Sequence, residues 1–245
     1  MKKLVVADFD GTLKPYKDAF VSQAVKDRID ALLEKGIYFA VSSGRTYGEL
    51  AAFLPDYIDR IFFICNDGAC YLKNGKPLYE KQIETEDLLR FFSCTEEGGC
   101  IFHGLDQNYS IGTVASAYAE SFAPTPIKTV YQIKEKIFKV TTFGKTVTLP
   151  QGCGLRTHWD GGPDRSAQYV NRFVSKGRAL SDLQIRLMLT SFDTVCIGDA
   201  GNDVAMMTGA KYSFCIGNRS PELSAACNKR AERIEDALDF CLNEF

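Results

Sequence analysis

Histidine is almost missing from this chain: His103 and His158 are its only two in 245 residues. A multi-histidine metal centre is therefore nearly excluded, and an obligatory histidine base becomes a poor expectation. Long apolar runs are missing too, and no stretch approaches the roughly 20 residues that span a bilayer. Neither charge sign dominates: 29 basic residues face 31 acidic ones, for a formal net charge of −2. That balance offers no broad basic field to nucleic acid. Met1-Lys2-Lys3 precedes a short apolar run as a secretory leader would, but Asp8 and Asp10 interrupt the run too soon. The expectation is a soluble, cytoplasmic protein with neither a nucleic-acid nor a membrane partner.

Cysteine is present, but not in a pattern. Nine cysteines occur without a C-x-x-C pair or a Cys/His zinc spacing. They read as buried, reduced thiols used as small hydrophobes. At 45% hydrophobic, the chain can bury a sizeable core. Its length fits one large α/β domain, or a core with a smaller inserted domain.

Two periodicities alternate along the chain. "LVVAD", "IYFAVSSGR" and "RIFFICNDG" are continuous apolar runs, as in strands covered on both faces. Between the first two, Val25, Ile29, Leu32 and Leu33 recur at helical spacing, with Ser22 as N-cap and Gly36 as the terminating glycine. "GELAAFL" is a short helix, and Asn74-Gly75 marks a hairpin turn in "ACYLKNGKPLYEK". Alternating strands and helices predict a doubly wound, parallel, Rossmann-like sheet.

The pattern changes near residue 83. "ETEDLLRFF" and "ASAYAESF" read as helices; "CIFHGL", "IKEKIFKVTTFG" and "GLRTHWD" read as strands with polar alternation, hence one wet face. "GGPDRS" reads as a loop. The parallel pattern resumes from Lys176, with a helix over "RALSDLQIRLML", whose apolar positions include Leu180, Leu183, Ile185 and Leu187. "TVCIGDAGND" is a strand and polar loop, "DVAMMTGA" a helix, "YSFCIG" a strand, and "ELSAAC" and "EDALDFCLNEF" helices. The division is a core over 1–82 and 172–245, with an inserted α+β domain over 83–171.

Three core strands end in chemically loaded loops. They are Asp8-Phe9-Asp10-Gly11-Thr12, Ser42-Ser43-Gly44-Arg45 and Gly198-Asp199-Ala200-Gly201-Asn202-Asp203. In open parallel sheets, ligands bind beyond the carboxyl ends of the strands, so these loops should converge. Lys176, opening a helix, can join them. Asp8, Asp10 and Asp199 would form a hard, oxygen-rich pocket suited to Mg²⁺. The cation would offset repulsion between the paired aspartates. One aspartate could then attack phosphorus while the other shuttles a proton. Ser43, backbone N–H groups and Lys176 would hold the remaining phosphoryl oxygens.

These motifs resemble those of the haloacid dehalogenase superfamily, specifically its Cof-type phosphatases. D-x-D-G-T is complete at Asp8 to Thr12, and Ser43-Gly44-Arg45 resembles the second motif. "VSKGRAL", residues 174 to 180, and "GDAGNDVAMM", residues 198 to 207, resemble the third and fourth. Order and spacing match over essentially the whole chain, and the inserted block resembles the family's larger cap in position and length. The resemblance implies Asp8 as the nucleophile that becomes an aspartyl phosphate. It implies Asp10 as general acid/base, giving its backbone carbonyl to Mg²⁺, and Asp199 as a further metal ligand. Asp203 would support Lys176 and the metal shell. Phosphate contacts would come from the Phe9 N–H, Ser43 with the Gly44 N–H, Lys176 and Asn202. One departure stands out: the family usually has Asn-Gly-Ala after the third strand, and this chain has Asp67-Gly68-Ala69.

The implied activity is a Mg²⁺-dependent phosphatase acting on a small phosphorylated metabolite, such as a sugar phosphate. Alternatives are a phosphomutase of the same superfamily, a phosphoacceptor signalling domain or a silent sugar-phosphate sensor. A signalling receiver would lack both Asp10 and an inserted cap. Arg45 is open between a phosphate contact and a surface ion pair. His158, Trp159 and Arg156 are candidates for the specificity surface, although an aromatic packed on the inserted sheet is the simpler account of Trp159. His103 and Tyr109 are open in the same way.

Overall fold

A computed structural model describes residues 2–93, 99–114, 116–144, 147–160, 166–218 and 220–245; side chains of 93, 116–118, 159 and 160 lie outside that description. Most of the loop expected over "GGPDRS" also falls outside it.

The first elements are β1 (Leu4–Asp8), α1 (Gln23–Glu34), β2 (Tyr38–Ser42) and α2 (Tyr47–Phe53). Next come β3 (Phe62–Cys65), β4 (Cys70–Lys73), β5 (Lys76–Glu80) and α3 (Thr85–Ser93). Then follow β6 (Cys100–His103), β7 (Asn108–Ile111), α4 (Ser116–Phe122), β8 (Thr125–Pro126) and β9 (Lys139–Thr142). β10 (Leu155–Asp160), β11 (Ala167–Asn171), α5 (Lys176–Leu187) and β12 (Thr194–Gly198) lead on to α6 (Val204–Met207). The chain closes with β13 (Tyr212–Ile216), α7 (Pro221–Ala226), β14 (Lys229–Ala231) and α8 (Ile234–Asn243).

Two compact units result: 1–45 with 50–79 and 175–245, and 46–49 with 80–174. The first contains an eight-stranded sheet in the order β14-β13-β12-β1-β2-β3-β4-β5. β14 through β3 are parallel, and β4 turns back antiparallel on β3. β1 and β12 are fully buried, as their continuous apolar runs require. The chain leaves β1 toward β2 on one side and returns as β12 on the other. This makes the carboxyl end of β1 a switch point, where a crevice opens between diverging connections.

Local chemistry sets the helices. Ser22 caps α1 by accepting the Val25 N–H at 3.3 Å, a contact worth about 1 kcal/mol. Val25, Ile29 and Leu32 form its buried stripe, and Gly36 follows it at φ 73°. α5 is capped by Ser175, which accepts from the Arg178 N–H at 3.1 Å. Its Ala179, Leu180 and Leu183 join Leu4, Val6 and Met206 in one core cluster. Ile185, one of the expected apolar helix positions, is 77% exposed, because it projects away from that cluster. Asn74 and Gly75, both at positive φ, make the two-residue turn between β4 and β5. The third strand is shorter than the sequence suggests. It ends at Cys65, and Asn66-Asp67-Gly68 forms a turn instead.

The second unit carries a six-stranded sheet, β10-β11-β9-β6-β7-β8, antiparallel except for the β7–β8 pair. Phe91 of α3, with Phe102, Val140 and Tyr169, lies in its apolar cluster. The expected wet face is not seen in the central strands: β6 and β9 are buried at every position. The strand expected over "IKEKIFKVTTFG" is confined to Lys139–Thr142. The Asn171 side chain donates to the Gln82 carbonyl at 3.1 Å, tying the entering and leaving segments together. Among the described residues, no helix is long and apolar enough to cross a membrane. All eight described cysteines are free thiols, seven of them buried.

Candidate active site

β1 delivers Asp8 to the end of the buried sheet, and the chain then folds back sharply. The Leu13 N–H donates to the Asp8 carbonyl at 3.2 Å, and the Lys14 N–H to the Phe9 carbonyl at 2.9 Å. Gly11 permits this turn at φ 94°; a Cβ there would stand 2.3 Å from Asp199 Oδ2. A side chain at position 11 would displace the carboxylate that the loop brings close.

Lys176 lies at the centre of the buried charge. Its Nζ donates to Asp8 Oδ1 at 2.6 Å, to Asp203 Oδ1 at 2.7 Å and to the Ser42 carbonyl at 3.1 Å, which uses all three donors. Asp203 Oδ2 accepts the Asp199 and Ala200 N–H groups, each at 3.1 Å. Both oxygens of Asp203 are thus engaged within the protein. Burial opposes the charge on Lys176, but Asp203, Asp8 and Asp67 outweigh it and hold its pKa above that of an ordinary lysine. Burial also pushes the Asp8 carboxyl well above the usual carboxylate range; Lys176 pulls it back, and Asp203 and Asp199 add to the rise.

Asp8, Asp199 and Asp203 each offer a carboxylate oxygen within 4.8 Å of the others. Asp8 Oδ2 is buried without a hydrogen-bond partner. Leaving such an oxygen unsatisfied is costly, whereas a divalent cation would satisfy it. A hard, all-oxygen donor set of this kind suits Mg²⁺. Thr12 Oγ1 donates to Asp199 Oδ1 at 3.5 Å.

Asp10 points elsewhere. Arg45 grips its carboxylate through Nε at 2.6 Å and Nη2 at 2.9 Å, and Lys14 Nζ lies 3.5 Å from Oδ1. The Arg45 guanidinium stands 5.2 Å from the Phe53 ring and 5.9 Å from that of Phe9. Phe9 is fully buried, and its ring packs 5.2 Å from Phe53. Two roles were open for Arg45; the structure gives it a carboxylate partner, shielded by two rings. Ser43 is buried, and its Oγ accepts the Arg45 N–H at 3.2 Å, fixing the loop that carries Gly44. Asn202 donates its side-chain amide to Asp67 Oδ1 at 3.2 Å.

Sequence reasoning missed Lys14 and Phe53. The four-residue spacing from Asp10 to Lys14 was the available signal for the first; nothing local marks Phe53.

The second unit's candidates are placed differently. Arg156 donates from Nη2 to the Val174 carbonyl at 2.6 Å and lies 3.2 Å from His158 Nδ1. The Trp159 side chain is outside the described residues. His103 is fully buried, with Nδ1 2.7 Å from Asn108 Oδ1 and Nε2 2.8 Å from Thr141 Oγ1. Tyr109 donates to Glu135 at 3.0 Å.

The core is thus a doubly wound α/β sheet with buried carboxylates and Lys176 gathered at its switch point. The family model for haloacid dehalogenase-like hydrolases matches residues 5–237, and the chain belongs to that family. It is a Cof-type member of that superfamily and, with it, an enzyme of the hydrolase class. The 5-amino-6-(5-phospho-D-ribitylamino)uracil phosphatase YbjI of Escherichia coli (strain K12) is 22% identical, over 97% of this chain and 95% of that protein. The solved structure of SMU.1108c from Streptococcus mutans UA159 has a TM-score of 0.85 at 22% identity, covering 99% of both chains. The HAD subclass IIB sugar phosphatase BT4131 has a TM-score of 0.79 at 18% identity, over 98% of this chain and 99% of that one.

Proposed function

We propose that the protein is a Mg²⁺-dependent phosphatase that hydrolyses a small phosphorylated metabolite, a sugar phosphate or a close relative, through an aspartyl phosphate at Asp8. The observation that carries this reading is the division of labour between two aspartates only two residues apart. Asp8 lies buried against Lys176, with one oxygen lacking a hydrogen-bond partner, while Asp10 is held separately by Arg45. Bound Mg²⁺ would offset negative charge between the acidic cluster and the phosphate. Asp8, Asp199 and Asp203 are the residues whose carboxylates would hold it or orient its shell.

Asp8 attacks phosphorus, and the ester oxygen departs. Asp10 protonates that oxygen, so the leaving group is an alcohol rather than an alkoxide. Water then attacks the aspartyl phosphate, and Asp10 takes its proton. Phosphate is released and Asp8 regenerated. Asn202, with the Phe9 and Gly44 N–H groups and Ser43, holds the phosphoryl oxygens, and Lys176, whose three donors are engaged within the protein, sets its positive charge beside them. Fixed donors of this kind need no rearrangement as charge develops. The unit of 46–49 and 80–174 serves as the cap that selects the leaving group, with Arg156, His158 and Trp159 as its specificity residues.

The similarity of the uracil-ribityl phosphatase and of the sugar phosphatase supports small phosphate esters as the substrate class. The test is a panel of phosphorylated sugars, sugar alcohols and nucleotides, assayed with Mg²⁺ and with chelator. A preferred ester, with activity lost on chelation, is expected. Full activity in chelator with no metal in the protein would contradict the reading.

A further inference from the structure

The turn after β3 contains three successive residues in the left-handed region: Asn66 at φ 50°, Asp67 at 59° and Gly68 at 92°. Asparagine, aspartate and glycine are the residues that tolerate such angles, so the sequence is built for this turn. The turn is fastened through its backbone, at two points, to the loop that follows β2. The Asn66 N–H donates to the Arg45 carbonyl at 2.8 Å, and the Asp67 N–H to the Ser43 carbonyl at 2.9 Å. Against the start of α5 it fits without spare room, since a Cβ on Gly68 would stand 2.4 Å from the Ser175 carbonyl oxygen. Asp67 is 2% exposed, and its Oδ1 accepts the Asn202 amide at 3.2 Å. A carboxylate is thereby fixed beside two groups assigned to phosphate, Asn202 and Lys176, and it cannot swing into solvent.

We infer that Asp67 is a positioning residue that also lowers the site's affinity for phosphate: it aims the Asn202 amide, and its charge competes with the phosphate for Asn202 and Lys176. The inference rests on the phosphatase reading and deepens it. The electrostatic influence of Asp67 on Lys176 is independent support. The product is inorganic phosphate, which is smaller than the substrate and has no leaving group through which the site could tell it apart. A fixed negative charge beside the phosphate-holding groups weakens its retention and favours release. Asparagine at this position would keep the turn and an acceptor for Asn202 while removing the charge.

Calorimetric titration of inorganic phosphate into Mg²⁺-loaded, full-length protein tests this, with wild type, Asp67→Asn and Asp67→Gly in parallel. Both substitutions suit a left-handed backbone. Asp67→Asn is expected to bind phosphate roughly tenfold more tightly, the size of effect that a nearby unit charge produces. Phosphate should likewise become a stronger competitive inhibitor of p-nitrophenyl phosphate hydrolysis. Asp67→Gly, which also frees the Asn202 amide, should bind more tightly than wild type but less tightly than Asp67→Asn. A merely structural role predicts weaker binding. Equal or weaker phosphate binding by Asp67→Asn, in a wild type that binds phosphate and hydrolyses esters, overturns this inference alone. If Asp67→Asn does not fold, the glycine variant decides: tighter binding upholds the inference, equal or weaker binding overturns it. A wild type that neither binds phosphate nor hydrolyses any ester overturns the phosphatase reading, and the inference with it.

Discussion

The two units bury polar groups in different ways. In the first, the buried polar residues at the strand ends are largely charged: Asp8, Lys14, Asp67, Lys176, Asp199 and Asp203. In the second, apart from Lys139, they are neutral: His103, Asn108, Ser110, Thr141, Thr142 and Ser166. A neutral network such as that of His103, Asn108 and Thr141 satisfies its own hydrogen bonds and specifies how a sheet packs. A set of four buried carboxylates against two buried lysines does not balance itself. Burying charge costs free energy that an all-apolar core would avoid, so its retention points to chemistry.

The largest expected effect falls on the charged cluster. Asp8→Asn is isosteric and should leave the fold intact while lowering turnover by roughly a thousandfold or more, as losses of nucleophiles do. Steady-state kinetics on metal-loaded protein would measure it, and substantial residual activity would remove Asp8 from its role. Asp10→Asn should slow both phosphorylation and dephosphorylation, by roughly a hundredfold or more each, because one group serves both proton transfers. Rapid-quench kinetics separates the two steps; an unaffected second step would show that Asp10 does not serve both.

Lys176→Met sharpens the contrast in stability rather than in rate. It strands Asp8 and Asp203 as buried carboxylates without their counter-ion, and loss of one partner from such a cluster costs about 3–5 kcal/mol. Denaturant melts should show that loss, and added Mg²⁺ should restore part of it through binding to the folded state. A melt unchanged from wild type would mean that the ion pairs contribute little.

The smallest effect is expected in the second unit. Arg156→Ala should shift the preference among phosphate esters severalfold, while hydrolysis of p-nitrophenyl phosphate, which needs few leaving-group contacts, stays within about threefold. Equal loss on both substrate types would show that Arg156 does not select substrates.

Much of the first unit was legible in the sequence, because strands buried on both faces leave continuous apolar runs. "LVVAD" and "TVCIG" coincide with β1 and β12, and their loops could be placed at one edge by topology alone. Residues Asn66 to Gly68 were less legible. The drop from apolar Cys65 to polar Asn66 and Asp67 and their tolerance of positive φ both mark a turn, but neither signal shows where the strand stops or which loop the turn meets. The partner of Arg45 was not legible either, since a loop arginine can meet phosphate or carboxylate, and only the fold brings Asp10 within 2.6 Å. In the second unit, strands such as Lys139–Thr142 carry polar residues beside apolar ones, which signals a wet face. The structure buries both faces instead, and sequence periodicity carries no information about what covers a polar face.

The central claim is that Asp8 carries the phosphoryl group during turnover. Its most direct test is to mix Asp10→Asn protein with Mg²⁺ and a hydrolysable ester, quench in acid over a time course from milliseconds to minutes, and map phosphorylation by peptide mass spectrometry. The account predicts one added phosphoryl group on the peptide containing Asp8, appearing before phosphate is released and absent from Asp8→Asn protein. Ester hydrolysis with no label on that peptide at any time would contradict it.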